Sequence, residues 1–162
     1  MLKKNNVYNL TNKELISIKK EMKYYETSRS IVVEALKIVQ KNRGWISDEI
    51  IKSIAKILNI SKTDVDSIAT FYSQIFRKKV GKYIIRYCDS VVCYINGYIN
   101  IEKKISKYLN INPGQTSKDK KFTLLPTCCL GNCDKGPSMM INEVTYMYLK
   151  PDKIKYILGK YI

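Results

Sequence analysis

Two stretches decide the fold: Tyr83-Ile-Ile-Arg-Tyr-Cys-Asp-Ser-Val-Val-Cys93 and Phe122-Thr-Leu-Leu-Pro-Thr-Cys-Cys-Leu-Gly-Asn-Cys133. Each opens with a run of β-forming residues and runs straight into cysteines. The first ends in a C-x4-C pair, Cys88 and Cys93, and the second in a C-x3-C pair, Cys129 and Cys133. Two pairs at strand exits converge if the strands are neighbours in one sheet, and four thiolates then surround one metal centre. Cys128 is the remaining cysteine. Adjacent residues of an extended segment point to opposite sides, so Cys128 and Cys129 are not expected both to be ligands. Gly131 sits between two candidate ligands, where backbone of positive φ is expected, and Gly136-Pro137 ends the loop.

Outward from these stretches, a helix of about 15 residues is expected after Cys93, with Ile95, Ile99, Ile101, Ile105 and Leu109 apolar. Asn112-Pro113-Gly114 breaks the chain. Phe122–Leu125 reads as the second strand, Met139–Ile141 as a third and Thr145–Leu149 as a fourth, with a turn near Asn142-Glu143. Pro151 suits the first turn of a closing helix that ends near Gly159. These four strands and two helices imply a small mixed sheet with helices packed on it, an α+β class with α/β character. The first half reads as helices only. Thr11-x-x-Glu14 is a capping box, and Leu15, Ile18 and Met22 follow it at helical spacing. A second helix is predicted from about Arg29 to a stop at Gly44, a third from Ser47, and a fourth, short one from Ser61. The division expected is a helical bundle over 1–80 and a sheet-containing domain over 81–162. Trp45, just past a helix end, reads as packing.

The chain has 162 residues, a formal charge of +15, five Cys and no His. The missing histidine excludes Ser-His-Asp and Cys-His catalysis, His-ligated zinc, haem with a proximal His and Rieske-type clusters. The charge is carried by 25 Lys and only 4 Arg, and its net value is +9 over residues 1–83 and +6 over 84–162. There is no Arg-rich block of the kind that grips phosphates bidentately. Lys, Ile, Asn and Tyr make up 73 of the 162 residues, which reads as a codon bias toward AT-rich sequence. Drifted surface lysines explain the charge better than a nucleic-acid site does. Met1-Leu-Lys-Lys-Asn-Asn6 leads into no apolar h-region, and no stretch approaches the roughly 18–20 apolar residues of a membrane span. A soluble, cytoplasmic protein is expected, and in a reducing cytosol an odd number of cysteines is no disulfide framework.

Three chemistries compete for the cysteines. A structural Zn(Cys)4 site uses four thiolates but commonly in tighter C-x2-C pairs. A redox dithiol calls for C-x-x-C, which is absent. An iron–sulfur cluster tolerates wider spacing because its ligands divide between two irons. Spacing alone leans toward [2Fe–2S] and leaves zinc open. The local charge is near balance, with Asp89 offset by Arg86 and Asp134 by Lys135.

At these residues the sequence resembles a known family. Tyr87-Cys-Asp-Ser-Val-Val-Cys-Tyr-Ile-Asn-Gly97 and Leu124-Leu-Pro-Thr-Cys-Cys-Leu-Gly-Asn-Cys-Asp-Lys-Gly-Pro-Ser-Met-Met-Ile141 are similar to the E subunit of bacterial NADH:quinone oxidoreductase (complex I), a relative of the thioredoxin-like [2Fe–2S] ferredoxins. The likeness extends through Glu34–Gln40, Gly44-Trp45 and Ala69-Thr-Phe-Tyr72 and covers about residues 25–160. It implies a helical bundle followed by a thioredoxin-like domain, and one [2Fe–2S] cluster with Cys88, Cys93, Cys129 and Cys133 as its ligands. Cys128 falls outside the ligand pattern. It also implies an electron-transfer subunit with no catalytic residue and no activity alone. Its partner would be the F subunit, which carries FMN and the NADH site, in the peripheral arm of complex I at the cytoplasmic side of the inner membrane. No nucleic acid and no direct membrane insertion are expected. Many family members have Ala where Gly136 stands and Thr-Pro where Lys150-Pro151 stands. Two alternatives remain at this point: the equivalent subunit of an NAD-linked hydrogenase or formate dehydrogenase, and a basic zinc-stabilised nucleic-acid-binding module.

Overall fold

A computed structural model describes residues 9–162. The Met1–Asn6 stretch read above for a secretion signal lies outside these residues. The chain divides into two compact units, Met1–Lys79 and Val80–Ile162.

The first unit is helical: α1 (Asn12–Glu21), a 3-10 turn (Met22–Tyr24), α2 (Val32–Arg43), α3 (Asp48–Leu58) and α4 (Lys62–Phe71). Its helix ends are dictated by short polar residues. Thr11 Oγ1 accepts from the Glu14 amide and Glu14 Oε2 from the Thr11 amide, closing the capping box at 3.2 and 2.7 Å. Ser47 and Ser61 cap α3 and α4 in the same way. Gly44, at φ +80°, stops α2. The start of α2 is three residues later than the periodicity predicts. The Thr27 hydroxyl accepts from the Ser30 amide and contacts the Ser30 hydroxyl, and this local turn competes with helix over 27–30. The apolar stripes meet in one core that includes Ile18, Leu36, Ile46, Ile54, Leu58 and Val65. Gln40 pins the segment after α4 by donating to the Gln74 carbonyl and accepting from the Phe76 amide, both at 2.7 Å. Trp45 is half-buried, with the Lys79 ammonium 6.0 Å from its ring centroid.

The second unit runs β1 (Tyr83–Cys88), α5 (Val91–Ile95), α6 (Tyr98–Leu109), β2 (Phe122–Thr127), a 3-10 turn (Cys133–Lys135), β3 (Met139–Ile141), β4 (Val144–Tyr146) and α7 (Pro151–Gly159). The sheet order is β2-β1-β3-β4, with β1 parallel to β2 and the other two contacts antiparallel. The class is α+β, as the resemblance implied. Ile85 is directly opposite Leu124 on one side and Ile141 on the other, and Tyr87 is opposite Met139, so these side chains share one face. Ile101 and Ile105 of α6 and Ile154 and Leu158 of α7 complete the core on that face. Pro126 costs β2 a backbone donor, and β2 lies at a sheet edge where this is tolerated.

Three details differ from the sequence expectation. The helix expected after Cys93 begins before it, at Val91, and Gly97 at φ +83° divides it into α5 and α6. With the helix divided, the seven elements run β-α-α-β-β-β-α. The fourth strand ends at Tyr146 instead of Leu149, because the Tyr148 and Leu149 amides turn to donate to the carbonyls of Lys135 and Pro137.

Gly81 precedes β1 where it runs against β2. A Cβ there would lie 2.9 Å from the backbone of Lys121 and Phe122, and the Gly81 amide donates to Thr123 Oγ1 at 2.6 Å. Gly81→Ala should cost about 1–3 kcal/mol through forced separation of the strands, read as a lowered denaturation midpoint.

Glu14 is 1% exposed and takes two hydrogen bonds from Arg43, at 2.6 and 2.8 Å. Burial alone would raise its pKa. The bonds from Arg43 and Thr11 and the Arg43 charge outweigh burial and hold it below its ordinary 4.5. A depressed folded-state pKa stabilises the fold above the unfolded value and is lost as pH falls through the folded one. Glu14→Gln should cost about 2 kcal/mol near neutrality. The stability gap to the unsubstituted protein should close as denaturation is repeated at pH values falling below 4.5.

Candidate metal centre

Because β1 and β2 are parallel and in register from Tyr83↔Phe122 to Cys88↔Thr127, both strands deliver their following loops at the same end of the sheet. Ligand sites in sheets with parallel strands gather at this carboxyl end. The Cys88 amide donates to the Ser138 carbonyl and the Asp89 amide to the Thr127 carbonyl, both at 3.1 Å, so the two loops are laced together at their roots. Ser90 then starts α5, whose first turn carries Cys93. Cys88 and Cys93 are each 1% exposed.

The second loop turns at Gly131, whose φ of +77° folds Cys133 back toward Cys129. Their sulfurs lie 3.2 Å apart and both residues are exposed. The Gly131 amide points at Cys129 Sγ, 3.4 Å away. The Asn132 side chain donates to the Leu130 carbonyl at 3.0 Å and braces the turn. Cys128 is exposed and takes no part in these contacts between the paired sulfurs.

The four paired thiols form two couples, one at the exit of each strand. Burial alone would raise the Cys88 pKa; hydrogen bonds from the Ser90 amide, the Cys93 thiol and the Leu130 amide reverse this and hold it below the ordinary thiol value. The Leu130 contact places the second loop against the first. Burial pushes the Cys93 thiol up, and its bond to Cys88 adds to the rise. The Cys133 thiol is also pushed up, by its bond to Cys129 and that residue's charge, with smaller contributions from Cys88 and Cys93. Among the described residues no group of three or more His, Cys, Asp or Glu side chains is arranged to hold a metal ion. The thiols come as two pairs, four in all, which is the number of thiolates a [2Fe–2S] cluster takes.

Further residues surround the paired thiols. Ser138, 2% exposed, sits with its hydroxyl 3.9 Å from Cys93 Sγ. Gly136 leaves its Cβ position empty, 3.3 Å from both Cys93 Sγ and Asn96 Nδ2. Tyr87 stacks on Tyr98 with centroids 5.7 Å apart, and burial pushes its pKa up to about 12, so it stays neutral. The Arg86 guanidinium donates to the Asn142 carbonyl at 2.8 Å, and Lys135 and Asp134 are 4.0 Å apart. α5 leaves Val91, Tyr94 and Ile95 exposed beside Cys93. In the helical unit Ala69 is buried, while Phe71 and Tyr72 are exposed and line a cavity of about 540 Å³ with Arg29, Val33 and Ile68.

Residues 18–162 match the family of thioredoxin-like [2Fe–2S] ferredoxins. The chain is 58% identical over 154 residues to the NADH-quinone oxidoreductase E subunit of Buchnera aphidicola subsp. Acyrthosiphon pisum, covering 95% of both chains. It is 56% identical to the NADH-quinone oxidoreductase E subunit of Escherichia coli K12, covering 95% of this chain and 93% of that one. Among solved structures, an NAD+-reducing [NiFe]-hydrogenase in the H2-reduced state superposes on 85% of this chain with a TM-score of 0.69 and 21% identity. This chain spans 23% of that hydrogenase chain, and the likeness is one of fold. With the two paired-cysteine loops in place and these full-length matches, the chain belongs to the thioredoxin-like [2Fe–2S] ferredoxin family, alongside the E subunits of NADH-quinone oxidoreductases.

Proposed function

We propose that this chain is the electron-transfer subunit of an NADH:quinone oxidoreductase and holds one [2Fe–2S] cluster on Cys88, Cys93, Cys129 and Cys133. The observation that carries the ligand assignment is the placement of those sulfurs as two pairs at the shared end of β1 and β2. When bound, the cluster supplies one-electron redox chemistry.

The chain supplies the rest. Cys88 and Cys93 anchor one side away from water, while Cys129 and Cys133 present the other side to the surface. Amides of Ser90 and Leu130 point to Cys88, and that of Gly131 points to Cys129, where they offset negative charge on the thiolates. No side chain is assigned a role as acid, base or nucleophile. The exposed apolar residues Val91, Tyr94 and Ile95 offer a docking surface beside the site for the neighbouring F subunit, whose flavin mononucleotide would be the cluster's one-electron partner. The protein then works at the cytoplasmic side of the inner membrane through its partners. Among the described residues, no helix is long and apolar enough to cross a membrane.

The equivalent subunit of an NAD-linked hydrogenase is the second reading, favoured by the fold shared with the NAD+-reducing hydrogenase. Identity of 58% along nearly the full length of a quinone oxidoreductase subunit supports the first reading more strongly.

Anaerobic reconstitution of the full chain should yield iron and labile sulfide in equal amounts and a low-temperature EPR signal on reduction; stoichiometric zinc without sulfide would defeat the cluster. Cys88→Ala, Cys93→Ala, Cys129→Ala and Cys133→Ala should each abolish that signal while Cys128→Ala keeps it, and an unaltered spectrum in any of the first four removes that residue as a ligand. Purified from its native membrane fraction, the chain should bring with it a flavoprotein and a membrane arm. Recovery of a nickel subunit instead would establish the second reading.

A further inference from the structure

The two halves of the thiol constellation differ in exposure. Cys88 and Cys93 are sealed at 1% exposure, whereas Cys129 and Cys133 lie open with their sulfurs 3.2 Å apart. A disulfide bond is about 2.05 Å long, so closing this pair needs a movement of about 1 Å. The loop has room for that movement: Gly131 carries the turn between the two residues, and nothing lies within 4 Å of its Cβ position. Cys128 is also exposed, but adjacent Cα atoms are about 3.8 Å apart, below the roughly 4.4 Å at which disulfides begin.

The geometry points to a thiol–disulfide gate: in the cluster-free chain, Cys129 and Cys133 form a reversible disulfide that blocks cluster loading until it is reduced. The oxidant class is a small disulfide such as oxidised glutathione. One thiolate of the pair attacks a glutathione sulfur, breaking the glutathione S–S bond and forming a mixed disulfide. The neighbouring thiolate displaces the second glutathione and closes the Cys129–Cys133 bond. The two protein thiols lose two electrons, glutathione disulfide gains them, and the two protons end on two glutathione thiols. Loading then lacks two of its four thiolates. The gate rests on the ligand assignment proposed above; the disulfide itself does not.

The test uses the full chain purified without iron. It is incubated with oxidised glutathione, alkylated, digested and mapped by mass spectrometry, and its uptake of iron and sulfide is measured before and after a dithiol reductant. The expected result is a Cys129–Cys133 disulfide with Cys88, Cys93 and Cys128 alkylated. Uptake should fall at least tenfold and recover on reduction. Cys128→Ala should behave identically. Five alkylated cysteines, a disulfide at any other pair, or undiminished uptake by the oxidised chain would overturn the gate. A chain that maps as expected yet takes up no iron even when reduced would defeat the cluster reading, and the gate with it, while leaving the thiol pairing intact.

Discussion

The parallel pairing of β1 with β2 is the constraint on which the rest of the second unit depends. Six consecutive residue pairs, ending at Cys88↔Thr127, bring two loops separated by about forty residues of chain to one end of the sheet. A parallel pair needs a crossover, and α5–α6 supplies it while burying Ile101 and Ile105 on the core face. Antiparallel pairing of the same strands would send the loops to opposite ends, and no common centre would exist. The absence of a side chain at Gly81 protects this pairing at its start.

The site built on that pairing is asymmetric. One thiol pair belongs to the core, held by a strand end and a helical turn; the other rides on a loop around Gly131. The loop is nevertheless tethered, through Asn132 to the Leu130 carbonyl and through Tyr148 and Leu149 to the carbonyls of Lys135 and Pro137. The same backbone bonds that end β4 early thus brace the segment that carries Cys133. A buried anchor with an exposed rim would suit the cluster proposed for these cysteines.

Local chemistry is legible along the chain. Thr11 with Glu14, Ser47, Ser61, Gly44 and Pro151 mark helix ends because each acts within a few residues of itself. Strand identity is equally plain over Tyr83–Cys88 and Met139–Ile141. The late start of α2 is not legible, because the competing Thr27–Ser30 turn depends on hydroxyl orientation. Nor is the division of α5 from α6, because Asn96-Gly97 inside an apolar pattern reads as a tolerated interruption.

The sequence by itself determined the donor chemistry: with no histidine, a metal site in this chain rests on cysteine, and two spaced pairs with Gly131 between two of them identify which thiols belong together. It also carried the family resemblance, which the full-length matches bear out. Only the tertiary structure decided which pair is buried, that the Ser138 hydroxyl and the empty Cβ position of Gly136 flank Cys93, and that the Leu130 amide reaches Cys88. Those contacts join residues distant in the chain. Sequence periodicity reports which side of its own element a residue occupies, and says nothing of what the rest of the fold lays against it.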